Sequence, residues 1–217
     1  MKQGIQRFWL VRHGITIWNS EQRMCGHSDI PLSREGRVQA RWLARRLQQE
    51  PVAAIYSSDL FRARETAKII ATSNNIPVHV SSAWREINFG AWEGLTYAEI
   101  AEQFQDKLQF FDDPLHTAPP AGESLTKVVE RVETALTEII ATKSTEGDIV
   151  VVSHGGPLRA LLCRMLSIPL AQQWQLRIDP GSLSTLDVLL SEAGHTTPPT
   201  GILTMLNAQR PIRTLHH

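Results

Sequence analysis

The chain has few of the features that mark membrane, secreted or nucleic-acid-binding proteins. Its two cysteines, Cys25 and Cys163, lie far apart and match neither a zinc-site spacing nor a disulfide framework. Basic and acidic residues balance at 22 each, so no excess charge attracts nucleic acid. No apolar run reaches the roughly 18 residues of a membrane span, and residues 1–4 do not open a secretory signal. We therefore expect a cytoplasmic protein that binds neither nucleic acid nor membrane.

The remaining composition is typical of one globular domain. With 217 residues, 42% of them hydrophobic and 20% charged, the chain can bury a substantial core. No internal repeat or low-complexity segment divides it, so residues 1–217 are predicted to form a single domain. The composition leaves the oligomeric state open, with a homodimer as one option. His216 and His217 are expected to belong to a tail without function.

Short apolar runs that predict buried strands alternate with amphipathic stretches that predict helices. The strands are predicted at residues 8–11, 52–56, 77–80, 149–152, 182–190 and 202–207. Helices are predicted at 34–49 with Ser33 as N-cap, after an Asp59 N-cap, from Thr96 to about 105, from Ser124, and with Pro157 in a first position. The alternation predicts a three-layer α/β/α fold with a mainly parallel sheet covered on both faces.

Basic side chains follow three predicted strands at the point where each strand ends. Arg12 and His13 come directly after the first strand, and His154 follows the strand at 149–152. Arg62 lies in the first turn of the helix after the second strand. Because the carboxyl ends of parallel strands meet at one edge of a sheet, these groups are expected to converge. Clustered cations without a partner are costly, so the cluster predicts a bound anion.

A phosphoryl group suits such a cluster. A guanidinium offers a planar fork of donors to phosphate oxygens, and a neutral imidazole offers a lone pair that can attack phosphorus. Gly14 leaves room for close backbone approach, and Gly155 opens a helix N-terminus, which favours anions. A histidine after a strand is also a common hydrogen-bonded loop residue, so the tripeptide at 12–14 alone leaves both interpretations open.

Six segments of the chain occur in the order found in a known family. They are Leu-Val-Arg-His-Gly-Ile-Thr-Ile-Trp-Asn, Asp-Ile-Pro-Leu-Ser-Arg-Glu-Gly, Ser-Ser-Asp-Leu-Phe-Arg-Ala-Arg-Glu-Thr-Ala, Glu-Ile-Asn-Phe-Gly-Ala-Trp-Glu-Gly, Gly-Glu-Ser and Val-Ser-His-Gly-Gly. Through these segments the chain resembles the histidine phosphatase superfamily, also called the phosphoglycerate mutase-like family, from residue 8 to about residue 190.

The resemblance implies a role for each basic residue. His13 would be the nucleophile that forms a phosphohistidine, and three side chains would hold the equatorial oxygens of the phosphoryl group: Arg12, Arg62 and His154. Asn19 and the amide of Gly155 would be further phosphate contacts. The two arginines and a charged His154 are expected to lower the pKa of His13, which keeps its attacking nitrogen free. The resemblance implies neither a metal nor a cofactor.

The proton donor for the leaving group is expected in the loop at 84–94, which carries Glu86 and Glu93. The family pattern implies that the first acidic residue, Glu86, protonates the leaving alcohol and later serves as base for the water that hydrolyses phosphohistidine. Glu93 is expected to fix the loop. Cys25 stands where many phosphatases of the family have a glutamine, so it is predicted either to replace a polar substrate contact or to be a small packed thiol.

Residues 95–122 interrupt the helix and strand pattern and predict a small helical lid. They contain no arginine, and their one basic residue, Lys107, lies among three phenylalanines. Such a lid favours an uncharged or aromatic leaving group over a carboxylate. Because family mutases carry an arginine-rich insertion after the acid loop, hydrolysis is favoured over a mutase reaction.

The predicted function is a metal-independent phosphomonoesterase that acts on a small phosphorylated metabolite, with that phosphate ester as its only predicted partner. Residues 111–114, residues 119–124 and the pair Gly26-His27 are similar to the α-ribazole phosphatases of the superfamily, which implies α-ribazole 5′-phosphate as a candidate substrate. The alternatives are a phosphoglycerate-type phosphatase or mutase, and an inactive module that only binds a phosphorylated ligand.

Overall fold

The computed structural model describes residues 4–142, 147–190 and 200–211, and the predicted tail at His216 and His217 lies outside them. The strands are β1 (Gly4–Arg12), β2 (Val52–Ser58), β3 (Val78–Ser81), β4 (Asp148–Ser153), β5 (Leu183–Leu190) and β6 (Thr200–Ala208). The α-helices are α1 (Ile17–Ser20), α2 (Arg34–Leu47), α3 (Phe61–Asn74), α4 (Tyr97–Gln103), α5 (Gln109–Asp112), α6 (Leu125–Ala141) and α7 (Gly155–Met165). None of these helices has the length and apolar composition that crossing a bilayer requires.

The strands form one six-stranded sheet in the order β3-β2-β4-β1-β5-β6. The four strands from β3 to β1 pair in parallel, whereas β5 and β6 run antiparallel to their neighbours. The uninterrupted apolar run of β4 lies at the centre, where both faces of the strand are covered. The prediction of a mainly parallel sheet is confirmed.

Alternate residues of the central strands face two separate hydrophobic cores. Trp9 and Val11 of β1 pack into a core with α2 and α3, whereas Phe8 and Leu10 pack into a core with α6 and α7. This division follows from the period of two in a strand, which sends successive side chains to opposite faces. The helices therefore cover both faces of the sheet, as predicted.

One helix cap is confirmed and another is wrong. The Oγ of Ser33 accepts a hydrogen bond from Gly36 N–H at 3.0 Å and caps α2. The N-cap of α3 is Leu60, which makes no side-chain cap bond. Asp59 instead forms a bidentate ion pair with Arg85, at 2.6 and 2.7 Å, because a guanidinium competes better for its carboxylate than a helix amide does.

The predicted first position of Pro157 is also wrong. The helix α7 begins at Gly155, with His154 as the N-cap residue, so Pro157 is its third residue. A proline is tolerated there because the first N–H groups of a helix have no intrahelical partner to lose. The consequence is that α7 starts directly at the strand end of β4.

The segment at 95–122 packs onto the domain through apolar side chains. Ile100 and Phe110 are fully buried in the core that includes α6 and α7. Phe111 stacks on Trp92, with ring centroids 5.0 Å apart. Thr96 caps α4 in a capping box, as the predicted helix start requires. That the segment acts as a lid stays a prediction.

Candidate active site

The C-terminal ends of β1 and β4 bring the two predicted histidines together. Arg12 lies opposite Ser153 in the parallel register, and the His13 N–H donates to the Ser153 carbonyl at 3.0 Å. The rings of His13 and His154 have centroids 4.9 Å apart and planes tilted by 59°. The strand ends therefore do converge, as their position in the sequence indicates.

Arg62 reaches the same point from the first turn of α3 and is fully buried. Its Nε lies 3.3 Å from Nε2 of His13. Its terminal nitrogens donate to the carbonyl oxygens of Gly26, at 2.7 Å, and Ser28, at 2.8 Å. The loop at 26–28 thus holds this guanidinium against the imidazole of His13.

Hydrogen bonds at both ring nitrogens fix the tautomer of His13. Its Nδ1 lies 2.8 Å from the carbonyl oxygen of Gly14, which can only accept, so Nδ1 carries the proton. Its Nε2 accepts from Arg62 and therefore keeps its lone pair. The nitrogen that could attack phosphorus is the one that faces the cations.

Burial and neighbouring charge keep both histidines neutral. Burial is the largest cause that holds the pKa of His13 well below its usual value, followed by the charges of Arg62 and Arg12. Burial and the same two arginines also hold the pKa of His154 well below its usual value. The expectation of a charged His154 is therefore wrong, because an imidazole buried among cations loses its proton. Only the two arginines depress the pKa of His13 by charge.

Several buried polar atoms of this cluster have no hydrogen-bond partner in the described part of the chain. Both ring nitrogens of His154 and Nε of Arg12 are in this position. The Nη1 of Arg12 donates to the carbonyl of Ile178 at 2.6 Å. Buried polar groups are normally hydrogen-bonded, so unpaired ones in a single cluster indicate a site for a polar ligand.

The carboxylate of Glu86 lies across the N-terminus of α7. One oxygen accepts from the Gly155 N–H at 3.1 Å, and the other accepts from the Gly156 N–H at 3.0 Å and the Ile87 N–H at 2.9 Å. A helix N-terminus attracts a carboxylate as it would attract phosphate. The Gly155 N–H can therefore contact a phosphate only if it releases the Glu86 carboxylate. The phosphate contact predicted for this amide stays a prediction.

Glu93 fixes the backbone of a neighbouring loop. One carboxylate oxygen accepts from the His27 N–H at 2.7 Å, and the other accepts from the N–H and hydroxyl of Ser28 at 2.8 and 2.6 Å. Glu86 and His13 line the neighbouring cavity, whereas Glu93 is not among its lining residues; Arg62 and His154 are not among them either and lie behind the ring of His13. This geometry agrees with the expected division between a carboxylate at the site and a carboxylate in the loop.

A cavity of about 430 Å³ opens beside these groups. It is lined by charged, polar and apolar residues and by the start of α7: Arg12, His13, Asn19, Arg23, Glu86, Arg159, Cys25, Met24, Ile87, Phe89, Phe111, Trp174, Gly155 and Gly156. Within residues 4–142, 147–190 and 200–211, no three histidine, cysteine or acidic side chains are placed to hold a metal ion. The cavity has the size of a small-molecule site, and its lining is both polar and apolar.

Asn19 and Cys25 both lie at the cavity, where they contact each other. The side-chain oxygen of Asn19 accepts from the N–H and hydroxyl of Thr16 at 3.1 and 3.0 Å, and its amide nitrogen lies 3.4 Å from the Cys25 sulfur. Burial raises the pKa of the Cys25 thiol, which therefore stays uncharged. The substrate contacts predicted for both residues stay predictions.

Gly14 serves the packing of the His13 loop against α2. A β-carbon on Gly14 would lie 2.4 Å from the carbonyl oxygen of Gly36, and one on Gly36 would lie 2.2 Å from the carbonyl oxygen of Ile15. The Gly14 N–H donates to the Thr66 hydroxyl of α3 at 3.2 Å. The close backbone approach predicted for this glycine is a contact with the protein itself.

Two arginines of the cavity were missed by the sequence patterns. Arg23 forms ion pairs with Glu21 and Glu99, at 3.0 and 2.9 Å. Arg159 lies four residues after Gly155 in α7. That spacing places both residues on one face of a helix, and it is the signal from which Arg159 could have been found.

Comparison with known proteins gives the same family as the motifs. A model of the histidine phosphatase superfamily, branch 1, matches residues 8–193. The chain is 31% identical over 183 residues to the adenosylcobalamin/alpha-ribazole phosphatase of Salmonella typhimurium, covering 84% of this chain and 90% of that protein. It is 35% identical over 178 residues to phosphoserine phosphatase 1 of Hydrogenobacter thermophilus, covering 82% and 84%.

A solved structure extends this similarity to the fold. The alpha-ribazole phosphatase from Shigella flexneri has a TM-score of 0.82 and 28% identity, covering 94% of this chain and 96% of that one. The match includes the strand ends that carry His13 and His154, because the family model spans both positions. The chain therefore belongs to branch 1 of the histidine phosphatase superfamily.

Proposed function

We propose that this protein is a phosphomonoesterase that hydrolyses a small phosphorylated metabolite through a phosphohistidine at Nε2 of His13. The observation that carries the proposal is the pair of hydrogen bonds that leaves the lone pair of a buried, neutral imidazole beside Arg62. Membership of a superfamily whose relatives include named phosphatases supports it.

In the first step, the N–H of Arg62 Nε turns from Nε2 of His13 to a phosphoryl oxygen and frees the lone pair of Nε2. Nε2 then attacks phosphorus while the bond from phosphorus to the alcohol oxygen breaks. Glu86, in its acid form, gives its proton to that oxygen, which leaves as a neutral alcohol. Arg12, Arg62 and one N–H of the neutral His154 donate to the phosphoryl oxygens, where charge develops in the transition state. The unpaired ring nitrogens of His154 are available for this contact.

In the second step, the Glu86 carboxylate takes a proton from water while the water oxygen attacks the phosphorus of the phosphohistidine. The bond from nitrogen to phosphorus breaks, which releases inorganic phosphate and restores neutral His13. The low pKa of His13 favours both steps, because a protonated imidazole cannot attack and the neutral ring is the stable product.

The cavity supports a small phosphate ester as substrate. Its volume of about 430 Å³ lies within the range of small-molecule sites, and Met24, Phe89 and Phe111 in its lining offer apolar contacts to the alcohol part. The names of two relatives refer to α-ribazole and to phosphoserine. We therefore propose α-ribazole 5′-phosphate and O-phosphoserine as the first substrates to compare by kcat/KM.

Hydrolysis of p-nitrophenyl phosphate in the presence of EDTA tests this function. We expect the wild-type protein to turn over and to acquire an acid-labile phosphoryl label from radioactive substrate. His13→Ala should lose at least about a thousandfold in kcat and should not be labelled. His116→Ala is the matched control, because His116 is exposed and forms an ion pair with Asp113, outside the cavity. Wild-type protein that binds phosphate without turnover would instead be an inactive binding module.

A further inference from the structure

Two cations of the cavity, Arg23 and Arg159, have no role in the proposed reaction. Arg23 is paired with Glu21 and Glu99, whereas Arg159 is not in an ion pair within the described part of the chain. Arg159 projects from α7, where its Nε donates to the carbonyl of Leu176 at 2.8 Å. Its guanidinium carbon lies 5.4 Å from the centre of the Trp174 ring, which also lines the cavity. The carbonyl and the ring hold the guanidinium in place, and its terminal nitrogens donate no hydrogen bond to any residue in the described part of the chain.

The charge of Arg159 is not balanced by an ion pair. Within residues 4–142, 147–190 and 200–211, no carboxylate lies within ion-pair distance of it, whereas Arg164 on the same helix pairs with Glu133. Burial lowers the pKa of Arg159, and Glu86 is the first of the charges that counteract this. A desolvated guanidinium without a counterion is costly unless an anion binds to it.

Arg159 lies next to the proposed phosphate site and not in a separate part of the surface. A β-carbon on Gly155 would lie 3.4 Å from Nη1 of Arg159 and 3.5 Å from Nη1 of Arg12. The charge of Arg159 also lowers the pKa of Arg12. Two guanidiniums that converge on one point suit two anionic groups joined by a short chain, of which the phosphate is one.

We infer that Arg159 is a specificity-determining residue that binds a carboxylate carried by the alcohol part of the substrate, close to the ester oxygen. This inference rests on the proposed phosphatase function and names its substrate class, short phosphorylated hydroxy acids. A carboxylate matches the planar fork of a guanidinium in a bidentate pair. The segment at 95–122 lacks an arginine, but α7 supplies the cation that a carboxylate needs.

Pairs of phosphate esters in which one member carries a carboxylate and the other has a hydrogen or a hydroxymethyl group in its place test the inference. The pairs are O-phosphoserine with O-phosphoethanolamine, and 3-phosphoglycerate with glycerol 3-phosphate. For each pair, we expect wild-type kcat/KM to favour the acid by on the order of 10- to 100-fold, the range for a hydrogen-bonded charge pair. The preference should arise mainly in KM, because a carboxylate outside the reacting bond binds the ground state and the transition state alike.

Variants of α7 separate recognition from structure. Arg159→Met should reduce the acid preference to about one, and Arg159→Lys should retain part of it, because a lysine keeps the charge without the fork. Arg164→Met removes an exposed arginine from the same helix and should leave both the activity and the preference unchanged. Should Arg159→Met fail to fold, Arg159→Lys and the wild-type pairs still decide the outcome.

Three results would overturn the inference. The first is a wild-type protein without preference for the acid in either pair. The second is an unchanged preference in Arg159→Met, and the third is an equal loss for both members of each pair, which would make Arg159 a phosphate ligand or a structural residue. If the wild type hydrolyses no ester at all, the proposed function fails instead. The affinities of wild type and Arg159→Met for 3-phosphoglycerate and glycerol 3-phosphate, measured by calorimetry, then decide the inference. Tighter binding of the acid that is lost in Arg159→Met supports it, and equal binding of the two compounds by the wild type overturns it.

Discussion

Replacement of Arg62 by lysine separates the positive charge of this residue from its geometry. The guanidinium contacts three acceptors at once, the carbonyl oxygens of Gly26 and Ser28 and the lone pair of His13. A lysine ammonium is a point charge on a flexible stem and cannot reproduce this fork. Arg62→Lys should therefore leave two buried acceptors without their charged donor.

The expected losses follow from these contacts. Two charge-assisted hydrogen bonds at about 1.5 kcal/mol or more each amount to roughly 3 kcal/mol of unfolding free energy, before relaxation. For a domain of this size, that corresponds to a fall in Tm of about 6–12 °C. Loss of the donor that Arg62 is proposed to offer to the phosphoryl oxygens should lower kcat by on the order of 100- to 1,000-fold.

Thermal unfolding by circular dichroism measures the change in Tm. Steady-state hydrolysis of p-nitrophenyl phosphate, at a temperature well below the Tm of wild type and of Arg62→Lys, measures the change in kcat. Arg64→Lys is the matched control, because Arg64 lies on the same helix and is exposed, with its guanidinium carbon 5.9 Å from the centre of the Phe61 ring. A variant Arg62→Lys with kcat within about threefold of wild type would refute the catalytic reasoning. An unchanged Tm would refute the role given to the two carbonyl contacts.

Two further predictions concern the carboxylates and the histidines. Glu86→Gln should lower kcat by about 100- to 10,000-fold for alkyl phosphates but far less for p-nitrophenyl phosphate, whose leaving group needs no proton; Glu93→Gln should mainly lower Tm. Equal effects of the two substitutions on both substrates would contradict the assignment. Folding lowers the pKa of His13 and His154, so below about pH 6.5 the unfolded chain binds more protons than the folded one. The free energy of unfolding should therefore fall as the pH falls, by up to about 1.4 kcal/mol per pH unit for each histidine. The free energy of unfolding, measured in urea between about pH 7 and pH 5, should depend less on pH in the double variant His13→Asn/His154→Asn than in the wild type. Identical slopes in the two proteins would contradict the prediction that these histidines are the cause.

Strand ends could be predicted from the sequence because the signal is local. The apolar runs of β1 and β4 stop at Arg12 and at Ser153, and parallel pairing alone then brings the residues that follow to one edge. The cap at Ser33 is local in the same sense, since donor and acceptor are three residues apart. Asp59 was misassigned because its partner, Arg85, is distant in sequence and competes with the nearby helix amides.

The identities of the site residues could be predicted from the sequence more easily than their protonation and their hydrogen-bond partners. That His154 lies at the site follows from its place after β4, but its neutral form depends on how completely the folded chain buries it beside Arg62 and Arg12. The partner of the Gly155 amide depends on the path of the loop that carries Glu86. Patterns within a short stretch of sequence hold no information about such approaches between distant segments.

The contact between Gly14 and Gly36 limits how this site can be redesigned. The two peptide backbones touch with no side chain between them, so the loop that follows His13 lies one main-chain thickness from α2. No substitution at either position can act as a spacer that tunes this distance by fractions of an ångström. Engineering of a new specificity must therefore change other residues that line the cavity and leave the contact between Gly14 and Gly36 unaltered.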